Sequence, residues 1–162
     1  MLNPLILVTF ETKFKPCTVA HMLDLDQFLP YQLSLLSNQI SRGIARTYEE
    51  KFGLGVTEWR VIAILGRFPG ISATEVTEKS AMDKVAVSRA VRKLLEAGRI
   101  QRHDSDSDRR AKHLYLSPEG QAVYDAIVPA ALDYERRLLE ALSDAERREL
   151  DALLARLIEV SE

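Results

Sequence analysis

The chain has 162 residues, of which 46% are hydrophobic and 28% charged, a balance that suits one globular domain with a sizeable core and argues against gross disorder. A formal net charge of −2 excludes wholesale polycation behaviour. With one cysteine, Cys17, no intramolecular disulfide can form, so a reduced, cytoplasmic setting is expected.

The opening MLNPLILVTF lacks the basic n-region and small-residue cleavage site of a signal peptide. No later stretch approaches the ~20 apolar residues that span a bilayer. Residues 1–24 therefore read as an N-terminal extension, with a start at Met22 and an ordered dimer arm as the two readings left open. The stretch LDQFLPYQLSLLSNQISRGIARTYEEKF then reads as one helix, because Leu29, Leu33, Leu36, Ile40 and Ile44 recur at helical spacing and Pro30 falls in the first turn. After the FGLGV loop, Thr57 is placed to cap TEWRVIAILGRF, a mostly buried helix that stops at Pro69-Gly70. Ser72-Ala73-Thr74-Glu75 has the capping-box pattern and opens a short helix ending near Ser80. Asp83 is placed to cap the next, which runs to Ala97 and stops at Gly98.

Beyond Gly98 the period shortens. IQRH and KHLYLS can pair as two strands around a charged loop, with Leu114 and Leu116 on one face and His113 and Tyr115 on the other. Ser117-Pro118 restarts a helix whose face continues through Val123, Ile127, Ala130, Tyr134 and Leu138, with a kink expected at Pro129. Ser143-Asp144-Ala145-Glu146 is a further capping box, leading the stripe Leu150, Leu153, Leu154, Leu157 and Ile158. One small domain cannot cover that stripe, which predicts an obligate dimer.

Charge is unevenly placed along this order. From Asp83 to His113 there are nine basic and five acidic residues, a local balance of +4 against −6 for the rest, so one region attracts anions. Helix, short helix, helix and hairpin in succession is the arrangement of a winged helix-turn-helix. In the helix after Asp83, the spacing turns Val87, Val91 and Leu94 to the core and leaves Lys84, Ser88 and Arg92 as an exposed row with Val85 and Arg89 beside it. Such a face suits a major groove: arginine pairs with guanine, serine and lysine anchor phosphates, and Val85 meets a thymine methyl. The hairpin explains the charged loop. A wing beside a recognition helix lies over the minor groove, where Arg109, Arg110 and Lys112 supply positive charge, and Asp108, the nearest aspartate, orients an arginine.

Asp108-Arg109-Arg110, followed by Leu114-Tyr115-Leu116-Ser117 and Gly120, resembles the Asp-x-Arg wing motif of the multiple antibiotic resistance regulator (MarR) family. LLEAGRIQR, Leu94 to Arg102, is similar to that family's junction between recognition helix and wing, and the resemblance extends from about Leu25 to Val160. It implies a mainly α fold with a small β-wing, a winged helix-turn-helix domain joined to a helical dimerisation region formed by the N- and C-terminal helices. The organisation expected is an extension at 1–24, a first dimerisation helix and loop at 25–56, a DNA-binding lobe at 57–117 and C-terminal dimerisation helices at 118–162. The resemblance implies a homodimer on a pseudo-palindromic double-stranded DNA operator, usually repressing, with Arg110 in the minor groove and Ser88 and Arg89 among the major-groove contacts.

A small aromatic acid or its thioester is the effector this reading favours, with Tyr31, Asn38, Arg42 and Trp59 as the ligand-binding set: an aromatic ring packs on Trp59 while an arginine pairs with the anion, the alternative being that these side chains simply pack the interface. Two alternatives are a peroxide-sensing regulator and a winged-helix protein-interaction module without sequence-specific DNA binding. Cys17 precedes the first helix and has no cationic partner beyond Lys13 and Lys15, which disfavours the redox reading. Asp104, Asp106 and Asp108 lack the glycine and terminal glutamate of a calcium loop, and the histidines have no metal-ligand spacing with Cys17. No phosphate loop or nucleophile elbow is present, so neither an enzyme, a cofactor nor a metal is expected.

Overall fold

The computed structural model describes residues 23–104 and 112–161. Its contacts divide the chain into two units that meet at Leu36 and Ser37. In the first, Asp24 caps a single 3₁₀ turn, Leu25–Gln27, by accepting the Asp26 N–H at 3.1 Å. Helix α1, Leu29–Ala45, starts directly after it. Described residues of this unit bury nothing: Leu23, Leu25, Phe28, Leu29, Tyr31, Leu33, Leu35 and Leu36 are all exposed.

The second unit holds the rest of α1 and every other element: α2 (Glu49–Phe52), α3 (Val56–Arg67), α4 (Ala73–Ser80), α5 (Lys84–Glu96), β1 (Ile100–Asp104), β2 (Lys112–Leu116), α6 (Pro118–Leu139) and α7 (Asp144–Ser161). Its core is built from α3 (Val61, Ile62, Leu65), α4 (Val76) and α5 (Val87, Ala90, Val91, Leu94), closed by Ile100 and Leu114 of the hairpin and Val123 and Ile127 of α6. The strands are antiparallel, with Ile100 opposite Leu116 and Asp104 opposite Lys112. A third short segment joins them, since Leu114 exchanges hydrogen bonds with Gly70 and Ile71 at 2.9 Å each. This is a winged helix-turn-helix.

Two local expectations are corrected. The helix read from Leu25 to Phe52 breaks after Ala45, because the chain tightens to i→i+3 bonds: Thr47 N–H to Ile44 O at 2.9 Å and Tyr48 N–H to Ala45 O at 3.1 Å. The Thr47 hydroxyl also donates to Ile44 O at 2.7 Å, the competition by which a short polar side chain ends a helix. The break turns Tyr48 into the core, where it is 1% exposed. The second correction concerns α3, which starts one residue before Thr57 with Gly55 at its N-cap; the Glu58 carboxylate, not the Thr57 hydroxyl, is the capping group, accepting the Gly55 N–H at 2.8 Å.

The remaining caps follow the sequence. Ser72 and Glu75 exchange hydrogen bonds at 3.2 and 2.8 Å, and Ser143 and Glu146 do the same. Both glutamates, hydrogen-bonded by their serines, are held below the usual carboxylate range. Ser117, 2% exposed, opens α6: its hydroxyl donates to Gly98 O at 2.6 Å and accepts the Gly120 N–H at 3.0 Å. Helix α6 runs through Pro129 without interruption, and α7 buries no residue.

Candidate nucleic-acid interface

Helix α5 is set by its two faces. Val87, Ala90, Val91 and Leu94 are each at most 2% exposed, and their burial fixes which side faces outward. Asp83 fixes where the helix begins, since one carboxylate oxygen accepts both the Val85 and Ala86 N–H groups at 2.9 Å. Lys84, Val85, Ser88, Arg89 and Arg92 are consequently all exposed on the opposite side. Val85, a β-branched residue 57% exposed in the first turn, has no role in the core.

Arg92 approaches Glu96 at 4.0 Å with both side chains solvated, a contact worth little and easily given up. Lys93, which sequence reasoning passed over, donates to Glu58 Oε1 at 3.0 Å. The same carboxylate that caps α3 thus braces α5, and its other oxygen keeps the Gly55 contact. Such a brace between two helices is not legible in a sequence, because the partners are 35 residues apart.

Arg102 on β1 belongs to the same basic window but was given no contact role from the sequence. It lines a cleft of about 240 Å³ between α4, α5 and the hairpin, together with Thr74, Thr77, Glu78, Lys84 and Ser88. Lys112 begins β2, exposed and opposite Asp104 in the register. Asp108, Arg109 and Arg110 lie outside the described residues, as does Cys17. Among the described residues, the hairpin therefore adds Arg102 and Lys112 to the cations of α5. No group of three His, Cys, Asp or Glu side chains among them is placed to hold a metal ion, and no described helix is long and apolar enough to cross a membrane.

A second cleft, about 330 Å³, lies between the C-terminal half of α1, the start of α3 and the turn before α5. It brings Asn38 and Arg42 together with Ser41, Thr57, Arg60 and Met82. Trp59 lines an adjoining recess of about 140 Å³ with Tyr48, Ile44, Ser41 and Arg60. Tyr31 lines neither. Arg60 is shared by both recesses and is oriented by the Ser41 hydroxyl, to which it donates at 3.1 Å, whereas Arg42 donates through Nε to Asn38 O at 3.3 Å. Trp59 is held in an aromatic series, its ring 5.7 Å from Tyr48 and 6.2 Å from Tyr124. Burial, with Glu49 next in effect, pushes the Tyr48 hydroxyl up to about 12. The combination offers aromatic walls, hydroxyls and a cation, the chemistry that receives a small aromatic anion.

The sequence profile of the MarR family matches residues 52–111. A protein of Thauera aromatica named for transcriptional regulation of the hcr operon is 30% identical over 116 residues, 72% of this chain and 70% of that one. A helix-turn-helix-type transcriptional repressor of Mycobacterium tuberculosis (strain ATCC 25618 / H37Rv) is 30% identical over 108 residues, 65% and 76% of the two chains. Among solved structures, a MarR/EmrR family transcriptional regulator from Acinetobacter sp. ADP1 superposes with a TM-score of 0.78 at 32% identity, covering 86% of this chain and 98% of its own.

Proposed function

The chain belongs to the MarR family of winged helix-turn-helix, DNA-binding transcriptional regulators, and from that premise we propose that it is a homodimeric repressor of a pseudo-palindromic operator, released by a small aromatic acid or its thioester. The observation that carries the DNA mode is the division of α5 into a buried apolar face and an exposed row of Lys84, Val85, Ser88, Arg89 and Arg92. With α5 in a major groove, Arg89 reads a base while Lys84, Ser88 and Arg92 hold phosphates. Lys112, Arg109 and Arg110 extend the contact into the adjacent minor groove, with Asp108 directing an arginine.

Dimerisation is supported by apolar surface in two places. In the first unit Leu29, Leu33 and Leu36 are exposed; in the second, Leu150, Leu153, Leu154, Leu157 and Ile158 of α7 are between 36% and 61% exposed. Solvated stripes of this kind mark an interface. Two copies related by a two-fold axis would place their reading helices on half-sites about one helical turn apart. Repression, the role named for the Mycobacterium tuberculosis relative, is the simplest consequence of occupying a promoter.

The cleft of Asn38, Arg42 and Arg60 supports the effector. Arg60, already oriented by Ser41, replaces Arg42 as the best placed partner for a carboxylate, and Trp59 supplies the ring contact. The direct test is a gel shift on DNA upstream of the protein's own gene over a salt series, with and without benzoate. Expected are one shifted complex, a steep loss of affinity with salt, and weaker binding with the acid. Equal affinity for unrelated DNA at every salt concentration would favour an interaction module instead.

A further inference from the structure

The second cleft reaches the turn that leads into the reading helix at one residue. Of the residues that line it, Asn38, Ser41 and Arg42 come from α1 and Val56, Thr57 and Arg60 from α3, while Met82 alone comes from the turn that leads into α5. That turn is tightly determined. Ser80, 8% exposed, donates its hydroxyl to Thr77 O at 3.1 Å and accepts the Met82 N–H at 3.3 Å. Ala81 sits at φ +50 and ψ +34 and is the sole positive-φ residue other than glycine among those described, in the left-handed region that penalises a Cβ. Asp83, next in the chain, holds the first amides of α5.

We propose that Met82 is the residue through which an aromatic carboxylate in this cleft acts on the reading helix; this rests on the effector reading above. Met82 is half-buried against the core and also lines the cleft. An unbranched, polarizable side chain repacks readily around an aromatic ring. The backbone behind it cannot follow so easily, since Ala81 occupies a narrow well and Ser80 pins the Met82 amide. Repacking therefore displaces the next rigid point, the Asp83 cap, and with it Lys84, Val85 and Ser88. Arg60 supplies affinity for the anion and Met82 supplies the difference in free energy between the two positions of α5, without which a bound ligand shifts nothing.

The proposal separates binding from response. Calorimetry with benzoate and 4-hydroxycinnamate on the full-length protein measures the first, and titration of a duplex from upstream of its gene, with and without saturating acid, measures the second. In the parent the acid should weaken operator binding by about 5- to 150-fold, the usual range of coupling between sites. Met82→Leu, close in volume, should keep both properties. Met82→Ala, titrated at an acid concentration that calorimetry shows to be saturating for that variant, should bind operator with an affinity that no longer responds to the acid. If Met82→Ala fails to bind operator without the acid, Met82→Val, which shortens the side chain and keeps it apolar, is read in the same way. An undiminished response in the shortened variant would overturn the role of Met82 alone. Failure of the parent to bind either acid, or binding without effect on the operator, would overturn the effector reading and this inference with it.

Discussion

Gly120, in the first turn of α6, tests how the wing is anchored. A Cβ added there would lie 2.9 Å from the carbonyl carbon of Arg99 and closer still to its oxygen. These are backbone atoms and cannot rotate away. Room is made only by separating α6 from the start of the hairpin, where Ser117 N–H donates to Arg99 O at 3.0 Å and Ser117 Oγ to Gly98 O at 2.6 Å. Overpacking costs about 1–3 kcal/mol and one weakened hydrogen bond about 1 kcal/mol, so Gly120→Ala should destabilise by about 2–4 kcal/mol. For a chain of this size that lowers Tm by roughly 4–16 °C. The control is Gly98→Ala: its φ is +66 with nothing within 4 Å of the new methyl, so only backbone strain of about 1 kcal/mol is expected. Thermal and urea unfolding at fixed protein concentration measure both variants. Equal stability of the two, or a Gly120→Ala protein as stable as the parent, would refute the claim that this contact joins wing to helix.

Arg89→Ala should cost about 1–3 kcal/mol on the operator and relax preference at one position, read by competition with single-base operator variants; unchanged selectivity would remove Arg89 from the reading face. Leu154→Lys with Leu157→Lys places two charges on the exposed α7 stripe and should shift light scattering from dimer to monomer at micromolar concentration, with no change expected if α7 is merely solvated. The lowered glutamates of the two capping boxes make stability acid-sensitive. Each carboxylate binds its proton more weakly when folded, so its contribution is complete above the ordinary glutamate value and is lost as pH falls through the lowered one. Urea midpoints of the parent should therefore fall over that acid range, and Glu75→Gln with Glu146→Gln should show a flatter profile.

The helix boundaries were legible where a polar side chain caps its own backbone, as at Ser72, Asp83, Ser117 and Ser143, because the signal is complete within four residues. The buried and exposed faces of α5 were legible for a related reason: Val87, Val91 and Leu94 leave no other face for the core. The end of α1 was not, since helical spacing continues through Arg46-Thr47-Tyr48 and only the tertiary burial of Tyr48 reveals the break. The four residues read as an effector set are only partly brought together. Asn38 and Arg42 share one cleft and Trp59 an adjoining one, while Tyr31 lines neither. Arg60 and Met82 were missed because their place in the cleft depends on how α1, α3 and the turn before α5 pack, which no local pattern records.

The division of labour within α5 bears on how such a protein changes over generations. What keeps the helix in place is Asp83, four buried apolar residues and the Lys93–Glu58 brace; a separate set of five side chains stands exposed on it. Substitutions confined to exposed positions away from caps and cores usually alter stability by no more than about 0.5 kcal/mol. Lys84, Val85, Ser88, Arg89 and Arg92 can therefore be exchanged, singly or together, while the scaffold that presents them stays folded. A duplicated copy of this gene would be free to acquire a new target site by a few steps, each of which leaves the fold intact.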